Sequence, residues 1–177
     1  MKVMVPLADG FEEIEAFTVI DVLRRAGIDV DTVGVVGSVI QGAHKIKVMV
    51  EKRFPEINPK DYDAIVLPGG PGYKTLERTG KLLEILKDFD SKGKVIGAIC
   101  AAPSILAEAG LLDDKRATIY PGMEKVLSYP RGNRVVVDQH IITSQGPGTA
   151  MEFALALVKK LKGDAEAIRL KQELVVE

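Results

Sequence analysis

Val95-Ile96-Gly97-Ala98-Ile99-Cys100-Ala101-Ala102-Pro103 decides the fold. Lys94 to Ile99 reads as a buried strand, because its apolar run is unbroken after the first residue. Pro103 then opens a short helix that runs to Ala109 and is capped by Gly110. No loop separates strand from helix. Small residues stand at Ala98, Ala101 and Ala102, where bulk would collide in a sharp turn, and this is the logic of a nucleophile elbow. Such a turn thrusts Cys100 out at the top of a sheet and aims the first amides of a helix at its sulfur. Those amides are expected to favour the thiolate and lower the thiol's pKa. The competing reading of Cys100 is a small core hydrophobe, the usual fate of a lone cysteine.

Outward from this segment, strands and helices alternate. Lys2 to Leu7, Val30 to Val36, Ile46 to Val50, Ala64 to Leu67 and Arg116 to Tyr120 read as strands, and Arg134 to Val137 with His140 to Ser144 as a hairpin about Asp138-Gln139. Helical periodicity begins at Glu12 and stops at Gly27, recurs through Leu82-Leu83, Ile85-Leu86 and Phe89 up to Gly93, and returns from Thr149 to Leu161 and from Ala165 to Leu174. This alternation predicts an α/β fold, with a mainly parallel, doubly wound sheet covered on both faces. In such sheets ligands bind at the carboxyl ends of the strands. Four loops leave those ends: Asp9 to Glu15, Pro68 to Gly72, Cys100 to Pro103 and Gln145 to Thr149.

The length of 177 residues suits one domain over 1–177. Twenty-four basic against 25 acidic residues leave a net charge of -1. That balance gives no footprint for nucleic acid or for a membrane surface. No secretory signal and no membrane-spanning run is legible, and one cysteine cannot form an intramolecular disulfide. The expected compartment is therefore the cytoplasm. Cys/His metal spacing is absent, so no metal is expected. Gly69-Gly70-Pro71-Gly72 lacks the Lys-Ser/Thr of a Walker loop and the spacing of a dinucleotide fingerprint. It reads as a tight turn whose glycines let backbone approach Cys100.

Ala8-Asp9-Gly10-Phe11-Glu12-Glu13-Ile14-Glu15, Asp21 to Gly27, Ile65-Val66-Leu67-Pro68-Gly69-Gly70, Ala98 to Pro103 and Thr143-Ser144-Gln145-Gly146-Pro147-Gly148-Thr149 together resemble the ThiJ/PfpI superfamily, in the branch of the human parkinsonism-associated protein deglycase. The resemblance implies a flavodoxin-like three-layer sandwich, a homodimer and a cofactor-independent chemistry. It implies that Cys100 is the reactive, oxidisable thiol, that Glu15 is its carboxylic acid partner, and that Gly70 and Ala101 offer N–H groups as an oxyanion hole. Gly69 and Pro147 are auxiliary positions within the matching motifs. Glu15 also reads well from the residues themselves. A carboxyl shielded by Phe11 and the Pro68 loop would have a raised pKa and donate a hydrogen bond to the thiolate. Glu12 and Glu13 are expected to be solvated first-turn acids.

The chain departs from the pattern at two places. The protease-like branch has histidine immediately after the cysteine, where Ala101 stands here, and this argues against peptidase chemistry. The human protein's branch has a histidine after the following strand, where Tyr120 stands; a phenol is a poor general base at neutral pH but can hydrogen-bond a substrate. His44 and Arg25 fall in regions that approach the dimer interface in relatives. On their own residues, Arg25 reads as a cation at a helix C-terminus and His140 as a turn residue. Two functions are carried forward: an enzyme acting on small aldehydes, glyoxals or early glycation adducts through Cys100, and a non-enzymatic oxidation-sensing or chaperone protein that uses the same thiol.

Overall fold

A computed structural model describes residues 1–176. In chain order the elements are β1 (Lys2–Leu7), α1 (Glu13–Arg25), β2 (Asp29–Gly34), β3 (Val39–Gln41), β4 (Lys47–Met49), β5 (Lys52–Arg53), β6 (Ala64–Leu67), α2 (Tyr73–Glu77) and α3 (Gly80–Ser91), followed by β7 (Val95–Ile99), α4 (Pro103–Glu108), β8 (Arg116–Ala117), β9 (Tyr129–Pro130), β10 (Val135–Asp138), β11 (Ile141–Ser144), α5 (Ala150–Lys162) and α6 (Asp164–Glu173).

Seven strands form the central sheet in the order β10-β11-β7-β6-β1-β2-β5. All neighbours run parallel except β10, which returns antiparallel against β11. β1 lies between β2 and β6, so the chain winds first to one edge and then to the other. The crevice of a doubly wound sheet opens at that reversal, above the carboxyl ends of the strands.

The expected alternation of faces is met residue by residue. Val3, Val5 and Leu7 of β1 point into one core with α1, α5 and α6. Met4 points the other way, with Ile65, Leu67 and Ile96, into the core under α3 and α4. Period-two alternation sends successive side chains to opposite faces, and because helices cover both faces the strands are apolar throughout. α1 is helical for the matching reason: Ala16, Val19, Ile20 and Leu23 recur on one buried stripe. It stops where the Ile28 N–H bonds to the Leu23 carbonyl, 3.1 Å, across Gly27.

Two sequence expectations change, and one helix is added. The Ile46 to Val50 stretch does not join the central sheet; β4 pairs antiparallel with β3, which sequence periodicity did not show, in a separate hairpin. The strand expected over Arg116 to Tyr120 shrinks to β8, paired only with β9. Beyond Ala117 the backbone finds partners outside any ladder. The Thr118 N–H donates to Thr143 Oγ1, 3.0 Å, and the Tyr120 N–H to the Cys100 carbonyl, 2.8 Å. The short α2 after the Gly-Pro-Gly loop was also not foreseen. Among the described residues no helix is long and apolar enough to cross a membrane.

Candidate active site

The elbow is present and strained. Cys100 has φ +63°, a left-handed conformation that non-glycine residues avoid. Its N–H donates to the Ser144 carbonyl, 2.9 Å, and its own carbonyl accepts from Tyr120. These two bonds pin the residue from β11 on one side and from the Tyr120 loop on the other. The residue is only 9 % exposed.

Three of the four loops at the strand ends close over the thiol. The Glu12 N–H donates to the Gly69 carbonyl, 2.9 Å, and the Gly72 N–H to the Gly10 carbonyl, 3.0 Å. Gly69 sits at the centre. A Cβ there would lie 2.6 Å from Cys100 Cβ, 3.1 Å from Sγ and 2.8 Å from Glu15 Oε2, so no larger residue fits without displacing the site. The absent side chain is what lets thiol and carboxyl share one small space.

Glu15 is fully buried. Its Oε2 accepts from the Gly69 N–H, 2.7 Å, while Oε1 has no hydrogen-bond partner among the described residues. Burial outweighs the Gly69 bond and pushes the carboxyl up to about 7. Burial, then the charge of Glu15, pushes the Cys100 thiol up to about 12, against the downward pull of the Gly70 and Ala101 N–H groups. The expected net lowering of the thiol by helix amides is therefore corrected. The amides act as foreseen, but burial first, and then the Glu15 charge, override them. The pair titrates as a unit, and the thiolate is favoured only when the shared proton sits on Glu15.

Above the sulfur lies a cavity of about 370 Å³, lined by Gly70, Tyr73, Lys74, Ala101, Tyr120 and Met123 around Cys100. Tyr120 therefore stands at the site, half exposed. Lys74 and Tyr73 come from α2 and were not singled out in the sequence, because nothing local tells a loop lysine from a pocket lysine.

The other auxiliary candidates lie elsewhere in the chain. His44 rests on Glu13: its N–H donates to Glu13 Oε1, 2.7 Å, and its Nδ1 lies 2.9 Å from Oε2. Glu13 is thereby corrected from a solvated acid to a buried, fully partnered one, 5 % exposed. Burial alone would raise its carboxyl, but the His44 ring and neighbouring backbone N–H groups hold it below the usual range. That bond in turn raises the His44 imidazole. Glu12, Glu13 and His44 bring ligand atoms within 4.8 Å of one another, yet both Glu13 oxygens are already engaged by His44. Arg25 caps the far end of α1, bonded to Asp21 at 2.7 Å and Glu173 at 3.3 Å. Pro147 opens a one-turn helix over Pro147–Thr149 and does not line the cavity. His140, in the hairpin turn, pairs with Asp90 at 2.8 Å.

A parallel sheet with a strained cysteine elbow above its carboxyl edge, and a buried carboxyl beneath the sulfur, defines a class of flavodoxin-like α/β proteins. The chain belongs to the DJ-1/PfpI family, whose profile matches residues 1–160. It is similar to a deglycase of Pyrococcus abyssi, 35 % identical over 92 % of this chain and all of the relative. It is also similar to a protein named glutathione-independent glyoxalase of Caenorhabditis elegans, 34 % identical over 97 % of this chain and 94 % of the relative. The structure of oxidized DJ-1 from Toxoplasma gondii superposes with a TM-score of 0.95 at 36 % identity, covering 98 % of this chain and 97 % of the other. Against two Arabidopsis thaliana DJ-1 homologues, 40 % and 39 % identical, the chain spans 41 % and 46 % of their lengths.

Proposed function

We propose that the chain is a single-domain, cytoplasmic member of this family that converts small aldehydes, glyoxals or early glycation adducts to hydroxy acids without a cofactor. Cys100 is the nucleophile, Glu15 the acid and base, and the Gly70 and Ala101 N–H groups the oxyanion hole. The observation that carries this reading is Glu15: a fully buried carboxyl with one orphan oxygen, raised to about 7 beside a strained cysteine. Perturbed, unsatisfied groups of this kind cost stability and are kept where chemistry uses them.

The chemistry follows from the arrangement. Cys100 Sγ adds to the aldehyde carbon, the carbonyl π pair moves to oxygen, and that oxygen takes the Glu15 proton to give a hemithioacetal. In a 2-oxoaldehyde, Glu15 then removes the proton from the former aldehyde carbon and returns one to the neighbouring carbon, and water releases the 2-hydroxy acid. Carbon oxidation states exchange within the substrate, so no external oxidant is required. Tyr120 lines the cavity where the related branch has histidine, and Glu15 alone is left to move protons.

A homodimer is part of the proposal. Ile46, Val39 and Met49, the last 80 % exposed, project from the β3–β4 hairpin, and Ile14 projects from the first turn of α1. Isolated exposed apolar residues are ordinary, but a group on one hairpin marks a contact surface.

The test is lactate formation from methylglyoxal by wild type, Cys100→Ser and Glu15→Ala. Both variants are expected to lose turnover by about 100-fold or more. Turnover unchanged in Cys100→Ser would sink the mechanism. Stoichiometric oxidation of Cys100 by peroxide with no turnover in wild type would favour the oxidation-sensing reading instead.

A further inference from the structure

We infer that Lys74 makes the Cys100 cavity selective for anions, so that the aldehyde taken there carries a carboxylate next to its carbonyl. The inference rests on Cys100 as the nucleophile and concerns which aldehydes the site captures as hemithioacetals, a step that needs no hydrogen transfer to the neighbouring carbon.

Lys74 is the one formally charged side chain among the residues that line the cavity. Its ammonium makes no ion pair or hydrogen bond among the described residues, although many of the chain's other cations are paired. Besides Cys100, the remaining lining is uncharged: Gly70, Pro71, Tyr73, Ala101, Tyr120 and Met123. Glu15, the acid nearest the sulfur, is buried beside Gly69 and enters the proposed step in its protonated form, as a donor. Glu124 lies close in sequence to Met123, but both its oxygens accept from the Gly122 N–H at 2.9 Å, and it does not line the cavity.

The polar groups facing a ligand are therefore almost all donors. The Gly70 and Ala101 N–H groups reach the sulfur, Tyr120 lines the cavity with a hydroxyl, and the Lys74 ammonium has no partner among the described residues. A carboxylate beside the reacting carbonyl matches that set, whereas a second neutral carbonyl can accept from the ammonium but does not compensate its charge. About 370 Å³ admits a molecule of a few heavy atoms with its hydration, and this suits a two-carbon oxo acid such as glyoxylate. The covalent step is the same thiolate addition: a C–S bond forms, the carbonyl π pair passes to oxygen, and that oxygen takes the Glu15 proton. Lys74 acts by charge and takes no part in the bond changes.

The experiment reads the site without requiring turnover. Cys100 is the only cysteine, so its alkylation by iodoacetate, an anion, and by iodoacetamide, its neutral counterpart, can be followed by intact mass. In each reaction a C–S bond forms and iodide leaves. The ratio of the two rates, normalised to a free small thiol, reports the charge preference of the site. Wild type is expected to favour iodoacetate, with the ratio falling about five-fold or more in Lys74→Gln, retained in Lys74→Arg, and falling with added salt in wild type because the Debye length is about 10 Å at 0.1 M. Glyoxylate is expected to protect wild type from iodoacetamide at lower concentration than it protects Lys74→Gln. A brisk alkylation whose ratio is the same in wild type and Lys74→Gln overturns the anion selectivity and leaves Cys100 as nucleophile standing. A Cys100 that reacts with neither reagent overturns both. A shifted ratio in a protein that forms no lactate from methylglyoxal supports the anionic class and removes the neutral glyoxal as substrate.

Discussion

Glu13 and Glu15 are the same residue on the same helical turn, both buried, and they end in opposite states. Glu13 has two oxygens and a partner for each, because His44 supplies its N–H and its ring. Glu15 accepts from the Gly69 N–H and lies against the Cys100 thiol, and one of its oxygens stays an orphan. Burial raises both carboxyls; only Glu13 has enough donors to reverse the shift. Burial thus sets the penalty for the charge, and the number of donors decides whether a site is structural or poised. Gly42 shows how closely the structural site is fitted, since a Cβ there would fall 2.2 Å from Glu13 Oε1. Gly69 does the same service for Glu15 and Cys100 together.

The comparison can be broken most directly at Glu15. Glu15→Gln keeps the shape and removes the proton, and turnover should drop by about 10²–10⁴-fold, the usual worth of a positioned acid or base. Its pH signature is equally specific. The carboxyl is raised from 4.5 to about 7, so the folded state prefers it neutral. Its stabilising contribution is complete below pH 4.5 and is lost as pH rises through about 7, a change of roughly 3 kcal/mol. Urea unfolding of wild type relative to Glu15→Gln should therefore weaken across that window; parallel pH curves for the two would refute it.

Gly69→Ala should cost roughly 1–3 kcal/mol by overpacking and slow Cys100 alkylation, because the added methyl falls on thiol and carboxyl together. Normal stability with a normal alkylation rate would show that the loop yields freely. Glu13→Gln should cost about 1–2 kcal/mol near neutral pH by weakening the bonds to His44. Here the sign reverses. The folded pKa of Glu13 is depressed, so its contribution is present above the usual carboxylate value and lost as pH falls through the folded one. Opposite pH trends for Glu13→Gln and Glu15→Gln, read in one denaturation series, would sharpen the contrast; matching trends would erase it. Arg25→Ala, which removes two exposed ion pairs, should leave stability close to wild type, because water and salt screen both. A larger loss measured for the dimer than for the monomer would place Arg25 at an interface.

Much of this was legible in the sequence because it is local. The unbroken apolar runs of β1, β6 and β7 require cover on both faces, and the small residues around Cys100 permit only a sharp turn. Such signals sit within a few residues of one another, and period and size suffice to read them. β3, its pairing with the Ile46 to Val50 strand, and α2 were not legible because the segments are short and partly exposed. Arg116 to Tyr120 has strand-like composition, but contacts from Thr143 and Cys100 claim its backbone.

By itself, then, the sequence determined the doubly wound sheet and the position of Cys100 at its carboxyl edge, since both follow from periodicity and side-chain volume along a continuous segment. Only the tertiary structure decided what surrounds the sulfur. The Gly69 donor comes from 54 residues beyond Glu15, His44 from 31 residues beyond Glu13, and Lys74 and Tyr120 meet across a cavity that neither segment encodes. A carboxyl's charge state depends on the donors and the burial that distant loops bring to it, and two glutamates that read alike along the chain are made unlike by what folds over them.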